Sequence, residues 1–580
     1  MRNEWVRAAA VDDVAVGGGK LFSYLDKRIA LFRTPQGLFA TDNRCPHQGY
    51  ALVRGDLKDG VLTCAWHNWK FELASGVCRY GGENIRTYAV ELRQGQVFVD
   101  VADPPAEIVR PDLFRSLLEA MDDLDLGRVA RDAMRLQRVG TPLADVVREG
   151  VRYAAPRAEY GWDHSLATLA DCLRMSRLFD ESLRALPVIQ GLSVASEDQV
   201  RRPFRPRPDP VDPIVACGSI EDAVRSYRSL VDDERAEEAE ALFRGLVAAG
   251  VQPASLRHML LSAATDHFLA YGHSMIFCQK AFEMLEEIGW EEADAVLSPL
   301  VPEMVLGTRY DRLPYMRRFL HTWEDRAPDL RALTRATPQG PFDRERYRRS
   351  LTDGSPEEAV GALISSLEGG AAVADVIDET GRAASERLAR FDMELDLDDT
   401  NEWGWLDVTH TLTYLSALRW AWSIDPTPEV LRGLFHAAWF VQWTGQFDER
   451  NGSGRPSPHE TEDADDVYDA IVGRDPDGAV ALVDGYSGPR EGLERALARA
   501  AVEDHSVAPI MVAHVVKTAQ AAIAESTALG EAPDATAPIA AAARFLASPK
   551  RERFVFQSTL EALAVVRGEA KPDSETLRAN

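Results

Sequence analysis

Cysteine is scarce in this chain, six residues in 580, which is too few for a disulfide framework. No apolar run approaches the ~18 residues that a membrane span needs. The start, MRNEWVRAAAVDDVAVGGGK, has no apolar stretch of the secretory kind, so the expected location is the cytoplasm. Basic residues are outnumbered, 65 Lys and Arg against 92 Asp and Glu, leaving a net charge of −27. That balance argues against nucleic acid or an anionic membrane as partner, and suits solubility and the docking of a basic partner. No Gly-rich fingerprint follows a predicted strand, so no flavin or nicotinamide domain of its own is expected. A repeat of fixed period is missing too.

What is present changes character along the chain. Up to about residue 103, LFSYL, IALFRT, GLFATD, VLTCAW, WKFEL and TYAVELRQGQVFVDV alternate apolar and polar residues between turn-forming Gly, Asp and Asn, the pattern of short strands. From about 110 onward, Ala, Leu, Arg and Glu dominate, and apolar residues recur at three and four, as in LRHMLLSAATDHFLAYGHSMIFCQKAFEMLEEIGW. Such segments predict helices, several apolar nearly all round and therefore buried. Segments 201–213, 337–358, 448–466 and 528–538 concentrate Pro, Gly and charge and are expected to be connectors. The prediction is a multidomain chain: a small all-β domain over 1–105, then a large all-α, His-rich body over 106–580.

Two of the six cysteines fall in RCPHQGYALVRGDLKDGVLTCAWHNWKFELASGVC, which holds Cys45-Pro-His47 and Cys64-Ala-Trp-His67. Two Cys and two His suit either a structural zinc ion or a [2Fe–2S] cluster with both thiolates on one iron and both imidazoles on the other. Zinc fingers group like with like, whereas here each short loop offers one Cys and one His, an order that favours the two-iron cluster. CPHQG, the GDLKDG turn and LTCAWHNWKFELASG closely resemble the Rieske ferredoxins and the N-terminal domains of Rieske oxygenases, over residues 3–103. The resemblance implies that Cys45, His47, Cys64 and His67 bind the cluster. Asn68 stands where that family usually has Gly. Imidazole in place of two thiolates raises the potential, which makes the cluster a one-electron relay, and Trp66 and Trp69 are candidates to shield it. The other four cysteines, Cys78, Cys172, Cys217 and Cys278, are expected to be plain thiols.

A relay needs a destination, and most of the chain lies beyond it. With no reductase domain in the sequence, the electron donor is expected to be a separate NAD(P)H-dependent reductase or ferredoxin. Oxygen activation at a mononuclear non-haem iron is the leading idea for the body. His164, His410 and His514 each lie on an apolar helical segment, and bundle metal sites are built from one inward ligand per helix. Lys517 follows His514 by three and shares its face. Buried beside a metal, it must lose its charge, pair with an acid, or be carbamylated. In ATDHFLAYGHSMIF, Asp266 and His273 share a helical face and His267 points away, unless Gly272 marks a kink. His321 and His459 are expected at the surface.

DHSLATLADCL, THTLTYLSALRW and the His-x-x-Lys of His514 to Lys517 resemble the questin oxidase-like proteins, helical oxygenases acting on aromatic polyketides. That resemblance makes His164, His410, His514 and Lys517 metal candidates, with His267 or His273 as a further ligand. Tyr160 and Gly161 stand where that family has a second His. Three functions are weighed: an oxygenase feeding electrons from the cluster to this helical site, with O₂ and an apolar, aromatic or polycyclic substrate; a conventional Rieske ring-hydroxylating oxygenase with a 2-His-1-carboxylate iron drawn from Asp266, His267 and His273; and a non-enzymatic electron-transfer or docking protein.

Overall fold

A computed structural model describes residues 4–313, 316–335, 340–398, 403–449 and 455–568. Pro314 and Tyr315 of the Arg-rich segment 307–319, residues 337–339, and residues 450–454 of the 448–466 connector lie outside the described residues. Two compact units divide the chain: Met1–Ala120 with Asp125–Thr141, and Met121–Leu124 with Pro142–Asn580.

The first unit is built on short strands: β1 (Trp5–Ala10), β2 (Gly19–Tyr24), β3 (Lys27–Thr34), β4 (Gly37–Asp42), β5 (Asp56–Lys58), β6 (Val61–Thr63), β7 (Lys70–Glu72), β8 (Cys78–Tyr80), β9 (Thr87–Tyr88), β10 (Val90–Arg93) and β11 (Gln96–Asp100). They form three sheets with orders β1-β11-β10, β2-β3-β4-β9 and β5-β6-β7-β8. The alternation in β3 explains how they share a core. Ile29 and Leu31 face one apolar cluster with Val97 and Val99. Ala30 and Phe32 face another with Leu62, Phe71 and the two cysteines Cys45 and Cys64, because successive strand residues point to opposite faces.

This unit also takes in helical residues. Helix α1 (Ala106–Asp123) leads to α2 (Leu126–Arg138), and Arg131 and Arg135 of α2 both pair with the buried carboxylate of Glu83. The compact unit therefore extends past 105, since a buried carboxylate must keep its cationic partners.

The second unit is helical. Five helices matter for the site: α3 (His164–Met175), α4 (Pro253–Asp266), α5 (His273–Ile288), α6 (Trp405–Ile424) and α7 (Pro509–Leu529). Most of their residues are buried, as apolar-all-round helices require. The long helical segment predicted across 256–290 is interrupted. His267 is extended, and Tyr271 (φ 63°) and Gly272 (φ 85°) adopt left-handed conformations between α4 and α5. The 337–358 connector likewise contains a helix, Arg344–Thr352, capped by Asp343. Among the described residues, no helix is long and apolar enough to cross a membrane.

Candidate metal centres

The first centre lies on two loops of the β unit. After β4, Gly49 N–H donates to Cys45 O (2.8 Å), and after β6, Asn68 N–H donates to Cys64 O (3.1 Å). Gly49 (φ 74°) and Asn68 (φ 64°) close the two turns in the same left-handed conformation. Asn is among the few residues with a side chain that adopt it readily, which accounts for the replacement of Gly at 68.

Cys45 and Cys64 are buried, and their thiols interact directly. Burial pushes the Cys45 thiol up to about 11, with the neighbouring Cys64 sulfur adding to the rise. The rings of His47 and His67 meet edge to face at 4.4 Å. His47 stacks on Trp69 at 5.0 Å, and His67 on the exposed Trp66 at 4.7 Å. The buried Nδ1 of His47 has no hydrogen-bond partner, a costly state for a polar atom. Paired buried thiols and an imidazole with an unsatisfied nitrogen suit a thiophilic iron cluster, so the residues fit the group. Cys78 lies under Gly81 and Trp69 and its thiol is free.

The second centre is assembled from four helices. His164 opens α3, His273 opens α5, His410 lies on α6 and His514 on α7, and one ligand atom from each falls within 4.8 Å of every other. His273 Nε2 is 3.0 Å from His164 Nε2 and 2.9 Å from His410 Nε2. Three of the rings are held from behind by backbone carbonyls of their own turns. His273 Nδ1 is 2.5 Å from Ala270 O, His514 Nδ1 is 2.7 Å from Ile510 O, and His410 Nδ1 bonds to Leu406 O. A carbonyl only accepts, so these nitrogens carry the protons and leave Nε2 as a bare acceptor. The Nε2 lone pairs of His273 and His410 then face each other at 2.9 Å with no proton between them, an arrangement that a cation at the centre would relieve.

Burial keeps these imidazoles uncharged. His164, His410 and His514 are held well below the ordinary histidine range, and His273 is lowered to about 3, in each case chiefly by loss of solvent. Neutral imidazole is the metal-binding form. His410 and His514 are buried, whereas His164 and His273 are half-buried, so the group has one more accessible side. Asp163 sets the direction of α3: its carboxylate caps the helix through Ser165 N–H (3.0 Å) and Leu166 N–H (3.4 Å). Lys517 Nζ lies 3.1 Å from His410 Nε2, and burial brings its ammonium down to about 7. Shedding its charge is thus the first of the three fates open to it.

His267 stands apart from this group. It follows α4 and its Nδ1 contacts Asp311 Oδ2 at 2.9 Å. Asp266 is engaged by Arg432 and Arg228. Asp266, His267 and His273 therefore do not converge on one point, because the chain turns between α4 and α5. His321 and His459 are exposed. Sequence reasoning missed Tyr271, whose ring stands edge-on to His410 at 5.5 Å and to Phe440 at 5.0 Å. It also missed Phe277, 5.2 Å from His273, which lies one turn on along α5 and was legible from that spacing.

The family model of the Rieske [2Fe-2S] domain matches residues 4–89. The ferredoxin component of the alkene monooxygenase system of Xanthobacter autotrophicus is 30% identical over 112 residues, 18% of this chain and 87% of that protein. The ferredoxin component of the naphthalene 1,2-dioxygenase system of Pseudomonas putida is 28% identical over 104 residues, 18% of this chain and 100% of that protein. The oxygenase subunit of 3-chlorobenzoate-3,4-dioxygenase of Comamonas testosteroni is 36% identical over 80 residues, 13% of this chain, and the chain spans only 18% of that subunit's length. A Rieske fold with a buried cysteine pair and facing histidines, matched by family and relatives alike, places this chain through its residues 4–89 in the Rieske [2Fe–2S] family.

Proposed function

We propose that this chain is an oxygenase in which electrons taken up at Cys45, His47, Cys64 and His67 are used at a mononuclear iron held by His164, His273, His410 and His514. When bound, the [2Fe–2S] cluster supplies one-electron transfer and the iron supplies oxygen activation. The observation that carries the reading is the pair of facing Nε2 atoms of His273 and His410, whose Nδ1 atoms are already committed to backbone carbonyls, gathered with His164 and His514 into one cluster. Lys517 is the fifth group of the site, placing its amine against His410 Nε2. The relatives named above belong to oxygenase systems, which supports a separate reductase or ferredoxin as electron donor.

The residues around the histidines point to an apolar, aromatic substrate. Tyr271 presents its ring edge to His410 and also meets Tyr310 at 4.9 Å. Phe277 packs against His164 and His273. Aromatic walls with a few convergent polar groups suit a planar apolar ligand and exclude water from around it.

The test is an iron and sulfide count on anaerobically purified protein, with EPR of the dithionite-reduced sample. The expected result is three irons and two sulfides per chain, with a mononuclear signal lost in the His410→Ala/His514→Ala double variant. Two irons and two sulfides with nothing further would overturn the reading and leave the helical unit a docking body.

A further inference from the structure

Three of the four histidine helices carry a buried acid or base below the ligand. On α3, Asp171 follows His164 by seven; on α5, Lys280 follows His273 by seven; on α7, Lys517 follows His514 by three. Seven residues are close to two helical turns, so Asp171 and Lys280 lie on their ligands' own faces about 10 Å further along the axis, while Lys517 lies one turn, about 5 Å, beyond His514. Asp171, Lys280 and Glu283 are all buried. Lys280 Nζ is 2.7 Å from Asp171 Oδ1 and 3.9 Å from Glu283 Oε2. Glu283 Oε1 accepts from Gln279 Nε2 at 3.1 Å and lies 3.1 Å from the partly exposed guanidinium of Arg174.

These groups form a chain from the surface at Arg174, through Glu283, Lys280 and Asp171, toward Lys517 at the histidine site. Packing α3 against α5 does not require it, since burying three ions costs more than burying apolar residues of the same shape. Each carboxylate also keeps spare acceptor capacity: Asp171 Oδ2 and Glu283 Oε2 lack a hydrogen-bond partner. A proton carrier needs that spare capacity, whereas a purely structural ion pair is normally saturated.

We infer that Glu283, Lys280 and Asp171 are a proton relay linking solvent beside Arg174 to the histidine site. The inference rests on the oxygenase reading for its purpose. Insertion of one oxygen atom of O₂ into a C–H bond consumes two electrons from the external donor and two protons, and releases one water. In the relay, the Glu283 carboxylate takes a proton from solvent and passes it to Lys280 as Lys280 gives one of its N–H protons to the Asp171 carboxylate. Asp171 then releases that proton toward the neutral amine of Lys517, the group at the histidine site whose charge it favours. One O–H or N–H bond forms for each that breaks, and the three relay groups return to their starting charges. Burial supports the role by holding the Asp171 carboxyl up at about 6, where it exchanges protons near neutral pH; Lys280, Glu283, Arg174 and Lys517 are the charged groups facing it.

The experiment uses the full chain and needs no turnover. Infrared difference spectra are recorded over pH 5–8, and the protonated-carboxyl band that disappears in Asp171→Asn is followed after dilution into D₂O. The expected result is that this band titrates in the wild type and shifts within the mixing time, while Glu283→Gln slows the shift at least tenfold and a small diffusible weak acid restores it. Unchanged exchange in Glu283→Gln, or the lack of any titrating band lost in Asp171→Asn, would overturn the relay. Should either variant fail to fold, the wild-type titration and the exchange rate in Lys280→Met decide in the same way. The iron count of the wild type reports separately on the histidine site, so the two readings fail independently.

Discussion

His410 shows at the scale of one residue how a buried imidazole is prepared to act as an acceptor. Its Nδ1–H is committed to Leu406 O one turn earlier, and its Nε2 is turned to His273 and Lys517. Neutrality has a consequence for stability. An unfolded histidine takes up a proton near pH 6.5, whereas folded His410 and His514 do so only well below that value because burial disfavours the charge. Below pH 6.5 the unfolded chain therefore binds more protons, so stability present above that pH is lost as the pH falls toward the folded values. The slope is at most about 1.4 kcal/mol per pH unit for each histidine. Lys517 has the same sign in a higher window. From about 7 to 10.5 the unfolded lysine stays protonated and the folded one does not, so stability rises with pH there. Calorimetry of chelator-treated protein is expected to show Tm falling between about pH 6.5 and 5, with a shallower fall in His410→Leu. An equal fall in the variant would show that His410 takes no part in the acid response.

At the scale of elements, the turn between α4 and α5 decides which histidine enters the site. Helical geometry applied to one straight segment leaves His267 and His273 as alternatives, because the wheel carries no information about where the helix stops. The stop is at His267, and the restart follows Tyr271 and Gly272 in left-handed conformations. Gly272 was visible in the sequence as a candidate kink, whereas Tyr271, a residue that rarely adopts positive φ, was not. By contrast, the Rieske domain was legible from its two loops, since two Cys and two His in two short motifs need no knowledge of tertiary packing. A Cβ on Gly272 would come within 2.7 Å of the Tyr414 ring and 3.2 Å of the Phe268 ring, in addition to about 1–2 kcal/mol for the left-handed conformation itself. Gly272→Ala is expected to lower Tm by several degrees and to displace His273, the next residue. Metal analysis should then find the mononuclear iron lost and the cluster's visible absorption unchanged; full retention of that iron would mean that His273 is positioned without the turn.

Across the whole molecule, the two centres belong to separate compact units. The switch from period-two to helical patterning near residue 105 made the all-β and all-α halves readable. The histidine site was only partly readable, because its four histidines come from four helices spread over the length of the body and only tertiary packing brings them together. The ion pairs of Glu83 with Arg131 and Arg135, which extend the β unit past its last strand, left no signal of any kind in the sequence. Two compact units predict that each can be emptied without unfolding the other. Cys45→Ala removes one of the two buried thiols that the cluster requires, and the cavity it leaves is small, so the helical unit has no reason to respond. The expected outcome is loss of the visible cluster absorption and of donor-driven O₂ consumption, with the helical circular dichroism signal retained and one iron remaining per chain. If that last iron disappeared along with the cluster, the histidine site would depend on the Rieske unit for its assembly. If donor-driven O₂ consumption survived without the cluster, electrons would be reaching the helical unit by a path that bypasses Cys45, His47, Cys64 and His67.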